Sequence, residues 1–405
     1  MNVVHIDAVE SGVAAAGGYR GAGVACGIKT SGAADMALVV SETAASAAAV
    51  FTTSLAAAAP VTISRANLAR SGGRARAVVI NSGCANACTG PDGMRHAQAM
   101  AELTASALGC PDAEVLVAST GVIGVSLDMA RVGRGIADAA RQLAPDGGGA
   151  AARAIMTTDP FPKEAAVEIA AGAGRYRIGG MAKGSGMIEP RLATMLAVVT
   201  TDAAVEPALL QRALASAVAD TFNAITVDGE PSTNDCVFLL ANGASGVPIG
   251  EDGLPAFTEA LRAVCEPLAV AIVRGGEGAT KVITLRISGA ASDTEARIAA
   301  RAVANSPLVK TAVHGGDPNW GRLIAAAARS GAAFSLNRAS VRIGPVELFR
   351  DGRPFDERAP EAAEYLRAAD VEIEVGMGTG SSGRARMWTC DLSAEYVRIN
   401  AEYRT

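Results

Sequence analysis

The sequence predicts an α+β fold. Strand-like and helix-like segments are mixed along the chain without the regular strand–helix–strand alternation of a doubly wound sheet. Half of the residues are apolar but only 4% are aromatic, so the cores must be built from Ala, Val, Leu and Ile with close backbone approach. No segment repeats. At 405 residues the chain has room for two or three structural units around filled cores.

The elements follow in order. Ala37–Val40, Ala48–Thr52 and Ala77–Ile80 are short apolar runs bounded by turn residues, the pattern of strands. The third runs into the loop Asn81-Ser82-Gly83-Cys84-Ala85-Asn86. His96–Leu108 has helical periodicity. Val115–Ala118 is a strand that empties into Ser119-Thr120-Gly121-Val122-Ile123-Gly124, and Leu127–Leu143 reads as a helix. Ala144–Gly149, with a Pro, an Asp and three glycines, reads as a surface loop. Residues 179–189 read as a flexible Gly-rich loop holding Lys183, followed by Pro190, Ala193-Thr194 and a buried strand, Met195–Val199. Glu206-Pro207 opens a helix to about Phe222, with Pro in the first turn. Phe257–Val273 is a helix, Val282–Ile287 a strand, and Thr294–Ser306 and Trp320–Arg329 are helices. Asp317 and Pro318 look like the cap and first turn of the last of these, with Trp320 packing inward. Strands and helices alternate to a final helix, Ala394–Tyr403.

The formal net charge of −5 and the lack of a basic cluster argue against a nucleic-acid partner. No apolar stretch reaches the roughly 18 residues of a membrane span, and Met1–Gly12 lacks the basic-then-apolar pattern of a signal peptide. Seven scattered cysteines, an odd number, argue for reduced thiols in the cytosol. Cys84 and Cys88 lack the second pair or neighbouring His that would complete a metal site, so no metal is expected. With only His5, His96 and His314 available, a nucleophile here is expected to find its base elsewhere.

Thr194 supplies such an arrangement. A Thr hydroxyl is a weak nucleophile without a base beside it, but an N-terminal Thr carries one, its free α-amine, with an unperturbed pKa of about 7.7–8.0. In the uncut chain that amine is an amide, so cleavage between Ala193 and Thr194 would create the base. Lys183, eleven residues earlier, either keeps the amine unprotonated by like-charge repulsion or holds a substrate carboxylate. The same residues also fit an ordinary strand start beside a solvated Lys.

The motifs along the whole chain favour the first reading. Asn81-Ser82-Gly83, Ser119–Gly124, Met156-Thr157-Thr158-Asp159 with Pro162-Lys163, and Met181-Ala182-Lys183-Gly184 resemble patterns of the ornithine acetyltransferase family. So do Ala193-Thr194-Met195-Leu196, Ser232-Thr233-Asn234-Asp235, Gly276–Lys281, Asp317–Arg322 and the tail Tyr396–Thr405. These are the bifunctional glutamate N-acetyltransferases of arginine biosynthesis, enzymes similar in chemistry to N-terminal-nucleophile hydrolases. The resemblance implies stacked β-sheets flanked by helices and a smaller C-terminal α/β unit, lid-like, at about 280–405. It implies a precursor cut into fragments 1–193 and 194–405, two of each forming a four-chain assembly in the cytoplasm. Thr194 would be the nucleophile, and Thr120 and Gly121 the oxyanion hole. Thr157, Lys183, Thr194, Glu277, Asn400 and Thr405 would contact substrate, the last two requiring the C-terminal helix to fold over the pocket. The acetyl group would pass from N-acetylornithine to glutamate, giving ornithine and N-acetylglutamate. No cofactor is implied, although some family members accept acetyl-CoA.

Glu189 and Arg191 stand where many members have His and Asn, Gly276 where an Asp is common, and Ala57 where a basic residue is common. These departures bear on cleavage rate and substrate preference. Three readings remain distinct: the acetyltransferase (or a secondary-metabolism relative with another acceptor), a self-processing aminopeptidase or amidase that passes its acyl group to water, and a non-catalytic metabolite binder.

Overall fold

The computed structural model describes residues 6–8, 11–172, 174–189 and 195–402, and the chain forms two compact units. The first comprises Met1–Asn223 and Glu230–Ile272, the second Ala224–Gly229 and Val273–Tyr403.

In the first unit the order is β1 (Ile6–Ala8), β2 (Tyr19–Val24), β3 (Met36–Phe51), α1 (Ala59–Arg70), β4 (Arg74–Cys84), α2 (Gly90–Leu108), β5 (Val115–Val122), α3 (Met129–Arg141) and α4 (Gly148–Ala154). Then come β6 (Lys163–Ala171), β7 (Gly174–Lys183), β8 (Leu196–Thr201), β9 (Ala204–Val205), α5 (Pro207–Asp220), β10 (Cys236–Ala241), β11 (Pro248–Ile249) and α6 (Leu254–Arg274), whose last residues enter the second unit. Among the described residues one mixed sheet runs β1-β6-β7-β8-β10-β3-β4-β5, with β2 beside β3. The parallel pairs β4/β5 and β8/β10 are joined through helices α2 and α5, as parallel pairing requires. β8 and β10, both after Thr194, lie between β7 and β3, both before it.

Side chains alternate between two cores with the period of a strand. Met36, Leu38, Ala77, Val79, Val115 and Val117 pack with Met100, Val132 and Ile136 of α2 and α3. Their neighbours Ala37, Val39, Val78, Ile80, Leu116 and Ala118 enter a second core, shared with Met181, Val198, Phe238 and Leu240 from the other half of the sheet. Both halves thus face one Ala-rich layer, the stacking expected of this α+β fold. The outer face of the second half is covered by α6, where the Tyr176 and Phe257 rings lie 6.0 Å apart.

Several expected elements change. Ala37–Val40 and all of Ala48–Thr52 but its last residue belong to one strand, β3, whose register with β4 shifts between Val40 and Ala45. The loop expected at Ala144–Gly149 is only partly one: Ala144 bridges Gly21 of β2 with hydrogen bonds in both directions, each 3.0 Å, and Gly148 begins α4. Small residues admit that close approach, which outweighs their poor helix propensity. The flexible loop expected around Lys183 is also corrected, because residues 179–183 complete β7. A side chain at Gly179 would strike the Gly12 carbonyl, and one at Gly180 would crowd Val264 and Leu268 of α6. The glycines there admit neighbours rather than confer flexibility.

The second unit contains β12 (Val282–Ala290), α7 (Asp293–Ala304), α8 (Pro307–Gly315), α9 (Trp320–Ala328), β13 (Ser340–Ile343), β14 (Val346–Arg350), β15 (Arg353–Pro354), α10 (Ala359–Tyr365), β16 (Asp370–Gly376), β17 (Gly383–Cys390) and α11 (Ala394–Glu402). Its sheet runs β15-β14-β13-β16-β12-β17 over a core including Ile283, Leu285, Val303 and Leu323. Asn319, not Asp317, caps α9: it lies two residues nearer the helix, and its side chain accepts from Arg322 N–H. Trp320 stacks on Phe349 with centroids 5.0 Å apart. The segment 224–229 is fastened here by buried Lys310, whose ammonium donates to the Val227 carbonyl at 2.7 Å and to Thr389 Oγ1 at 2.9 Å.

Candidate active site

Lys183 is the last residue of β7 and pairs with Leu196, the first residue of β8, which pairs in turn with Cys236, the first of β10. The end of β7 and the start of β10 therefore flank the head of the strand into which Thr194 leads. Thr194 itself, with Ala193 and Thr405, lies outside the described residues.

Lys183 is buried, at 8% exposure, so the solvated-Lys alternative fails. Its ammonium donates to Thr157 Oγ1 at 2.7 Å and to Thr120 Oγ1 at 3.2 Å, bringing three of the expected site residues together. Its counter-charge is Asp159, with Oδ2 3.9 Å away. Asp159 also accepts from Lys163 Nζ at 2.6 Å, from Thr157 N–H at 2.9 Å and from Gly184 N–H at 2.7 Å. Burial alone would raise its pKa, but Lys183, Lys163 and the amide donors outweigh burial and hold it at about 2. In Lys163 burial wins, pulling its pKa down against the upward pull of Asp159. The carboxylate fixes the loop bearing Thr157 and the turn after Lys183.

Thr120 and Gly121 lie inside β5 rather than in a turn after it, opposite a bulge at Cys84 of β4. Gly121 has φ +126°, and a Cβ there would sit 2.7 Å from Cys84 N and collide with the Gly83 backbone, so only glycine fits. Two buried amides lock this segment. Asn81 Nδ2 donates to the Cys84 carbonyl at 2.8 Å while its Oδ1 accepts from Ser119 at 2.6 Å. Asn234 Nδ2 donates to the Ala85 carbonyl at 2.6 Å and the Ser119 carbonyl at 2.9 Å.

In the second unit Glu277 is 7% exposed, and its Oε2 accepts from Asn400 Nδ2 at 2.9 Å. Two more expected residues thus meet. Sequence reasoning missed Asp159, Lys163, Asn81 and Asn234 as site residues. Each lies within a quoted motif, and the opposite charges of Asp159 and Lys163, four residues apart around Pro160-Phe161-Pro162, were the available signal.

Among the described residues no cluster of His, Cys, Asp and Glu is disposed to hold a metal, and no helix is long and apolar enough to cross a membrane. All seven cysteines are free thiols.

Comparison with known proteins accounts for nearly the whole chain. The arginine biosynthesis bifunctional protein ArgJ of Thermosynechococcus vestitus is 49% identical over 419 residues, covering 99% of this chain and 100% of that protein. The protein of the same name from Symbiobacterium thermophilum is 51% identical over 404 residues, 98% of this chain and 99% of that one. A solved structure of ornithine acetyltransferase complexed with ornithine, from Mycobacterium tuberculosis, is 42% identical over 47% of this chain and 100% of its own, with a TM-score of 0.43. The ArgJ family model matches residues 20–405. With that match and near-half identity from end to end, the chain belongs to the ArgJ family.

Proposed function

We propose that this protein is a self-processing acetyltransferase of arginine biosynthesis, carrying acetyl from N-acetylornithine to glutamate through an ester on Thr194. The observation that carries this reading is buried Lys183 at the end of β7, bonded to Thr120 and Thr157 beside the head of β8.

In the first step Thr194 Oγ attacks the acetyl carbonyl while its own α-amine takes the hydroxyl proton. The oxyanion forms against the Thr120 hydroxyl and the Gly121 N–H. Lys183 occupies a lone pair of Thr120 Oγ1, which leaves the hydroxyl proton of Thr120 to point at the oxyanion. The ammonium of Thr194 returns the proton to the departing ornithine amine. Glutamate's amine then attacks the acetyl ester, and N-acetylglutamate leaves with Thr194 restored. Thr157, Lys183, Glu277, Asn400 and Thr405 hold substrate in this scheme. The fragments 1–193 and 194–405 remain paired, two pairs making a tetramer. No cofactor takes part in these steps, and acetyl-CoA serves as an alternative acetyl donor.

The experiment is intact-mass measurement and N-terminal sequencing, followed by reaction with acetyl-labelled N-acetylornithine. Two polypeptides, one beginning at Thr194 and carrying the label, are expected, with glutamate discharging it as N-acetylglutamate. Label on another residue, or discharge to water unaffected by glutamate, overturns the reading. Gly121→Ala is expected to lower kcat by at least about 100-fold, since the strained, clashing Cβ displaces an oxyanion donor. Unchanged kcat in a folded variant removes Gly121 from the mechanism.

A further inference from the structure

Asp391, Leu392 and Ser393 link β17 to α11 in the second unit. Asp391 is buried, and its carboxylate is fully engaged. Oδ1 accepts from the Thr280 N–H at 2.7 Å and from the Lys281 N–H at 2.8 Å. Oδ2 accepts from Thr280 Oγ1 at 2.5 Å and lies 2.7 Å from His314 Nδ1 on α8. Burial alone would raise its pKa, but Thr280, His314 and the two amide donors outweigh burial and hold it below the usual carboxylate value. Nothing in the acetyl-transfer steps touches this group.

What it does hold is the end of the loop that carries Glu277. Two further contacts press that loop on α11. Ser393 Oγ donates to the Gly278 carbonyl at 2.6 Å. Gly278 has φ +68°, and a Cβ there would sit 2.5 Å from Tyr396 N, so only glycine lets the loop lie against the first turn of the helix. The turn itself is closed by the Ala279 N–H on the Gly276 carbonyl at 2.9 Å, and it presents Glu277 to Asn400. Asn400 Nδ2 also donates to the Tyr396 carbonyl at 3.0 Å, one helical turn earlier. A glycine-rich loop that had to be ordered at each binding event would cost affinity, whereas one fixed beforehand does not. We propose that Asp391 is a positioning residue for substrate: by gathering Thr280, Lys281 and His314 it fixes the loop from which Glu277 meets Asn400. The inference rests on the reading above that Glu277 and Asn400 hold substrate.

The test is Asp391→Asn in the full chain, with intact mass and thermal unfolding as checks that the variant is processed and folded like wild type. The amide keeps one oxygen for the Thr280 and Lys281 N–H groups, but its NH2 end cannot accept from Thr280 Oγ1 or from His314. KM and kcat for N-acetylornithine and for glutamate are measured beside Glu277→Ala and the double variant. Whichever KM Glu277→Ala raises is expected to rise at least about tenfold in Asp391→Asn, with kcat within about threefold of wild type. The double variant should match Glu277→Ala alone, because a residue that acts through Glu277 then has nothing left to position. A folded Asp391→Asn with wild-type KM overturns the inference, as does a double variant in which the two single effects multiply. If Asp391→Asn does not fold, Thr280→Val decides, since it removes one donor and leaves the carboxylate. A smaller rise in the same KM is expected there, and a wild-type KM overturns the inference. Wild-type KM values in Glu277→Ala overturn the reading of Glu277 as a substrate contact, and the inference with it.

Discussion

Thr194→Ala is expected to give a single 40.7 kDa polypeptide whose acetyl transfer is at least about ten-thousand-fold slower than wild type. Two losses coincide in one substitution. Without Oγ no ester can form during cleavage, so the amide that masks the α-amine persists, and without Oγ no acetyl ester can form during turnover. Thr194→Ser separates the two, because it keeps a hydroxyl and should cleave and transfer at reduced rates. Denaturing electrophoresis and a transfer assay on the same preparations decide the matter. Residual wild-type transfer in Thr194→Ala would end the nucleophile assignment.

Asp159→Asn is expected to destabilise the first unit by about 3–5 kcal/mol, because it strips the counter-charge from a fully buried Lys163 while leaving the lysine in place. Denaturant unfolding measures this directly. Asp159→Asn with Lys163→Met should recover part of the loss, since the fully buried Lys163 charge is then gone and only Lys183 lacks its counter-charge. A loss below about 1 kcal/mol in the single variant would mean that the pair is not an anchor. The same carboxylate gives a pH signature. Its folded pKa, about 2, lies below the unfolded value of about 3.9. Its contribution is therefore complete above pH 4 and lost as pH falls through 2, about 2–3 kcal/mol in all. The Asn variant should lack that part of the acid sensitivity.

Legibility in the sequence followed physical locality. Helices with polar caps and apolar periodicity were readable: α5 starts at its Pro207 and α3 at Met129, capped by Asp128 and two residues beyond the expected boundary. β6 and β7 were hidden because Gly, Ala and charged residues dominate their edges, and their strand character comes from pairing with each other and with β8. Lys183 looked solvated because nothing local reveals that Thr120, 63 residues earlier, meets its ammonium. Nothing local reveals either that Glu277 meets Asn400, 123 residues later. The motifs named the residues, while the distances among them belong to the sheet.

The interleaving of β8 and β10 between β7 and β3 has a consequence for a molecule severed before Thr194. Both pieces contribute strands to one continuous ladder, so neither can depart without stripping hydrogen bonds along two seams. Thermal damage then becomes a ratchet. The intact precursor refolds as a unimolecular event, but the severed enzyme must find its other half by diffusion, so recovery after denaturation should slow with dilution.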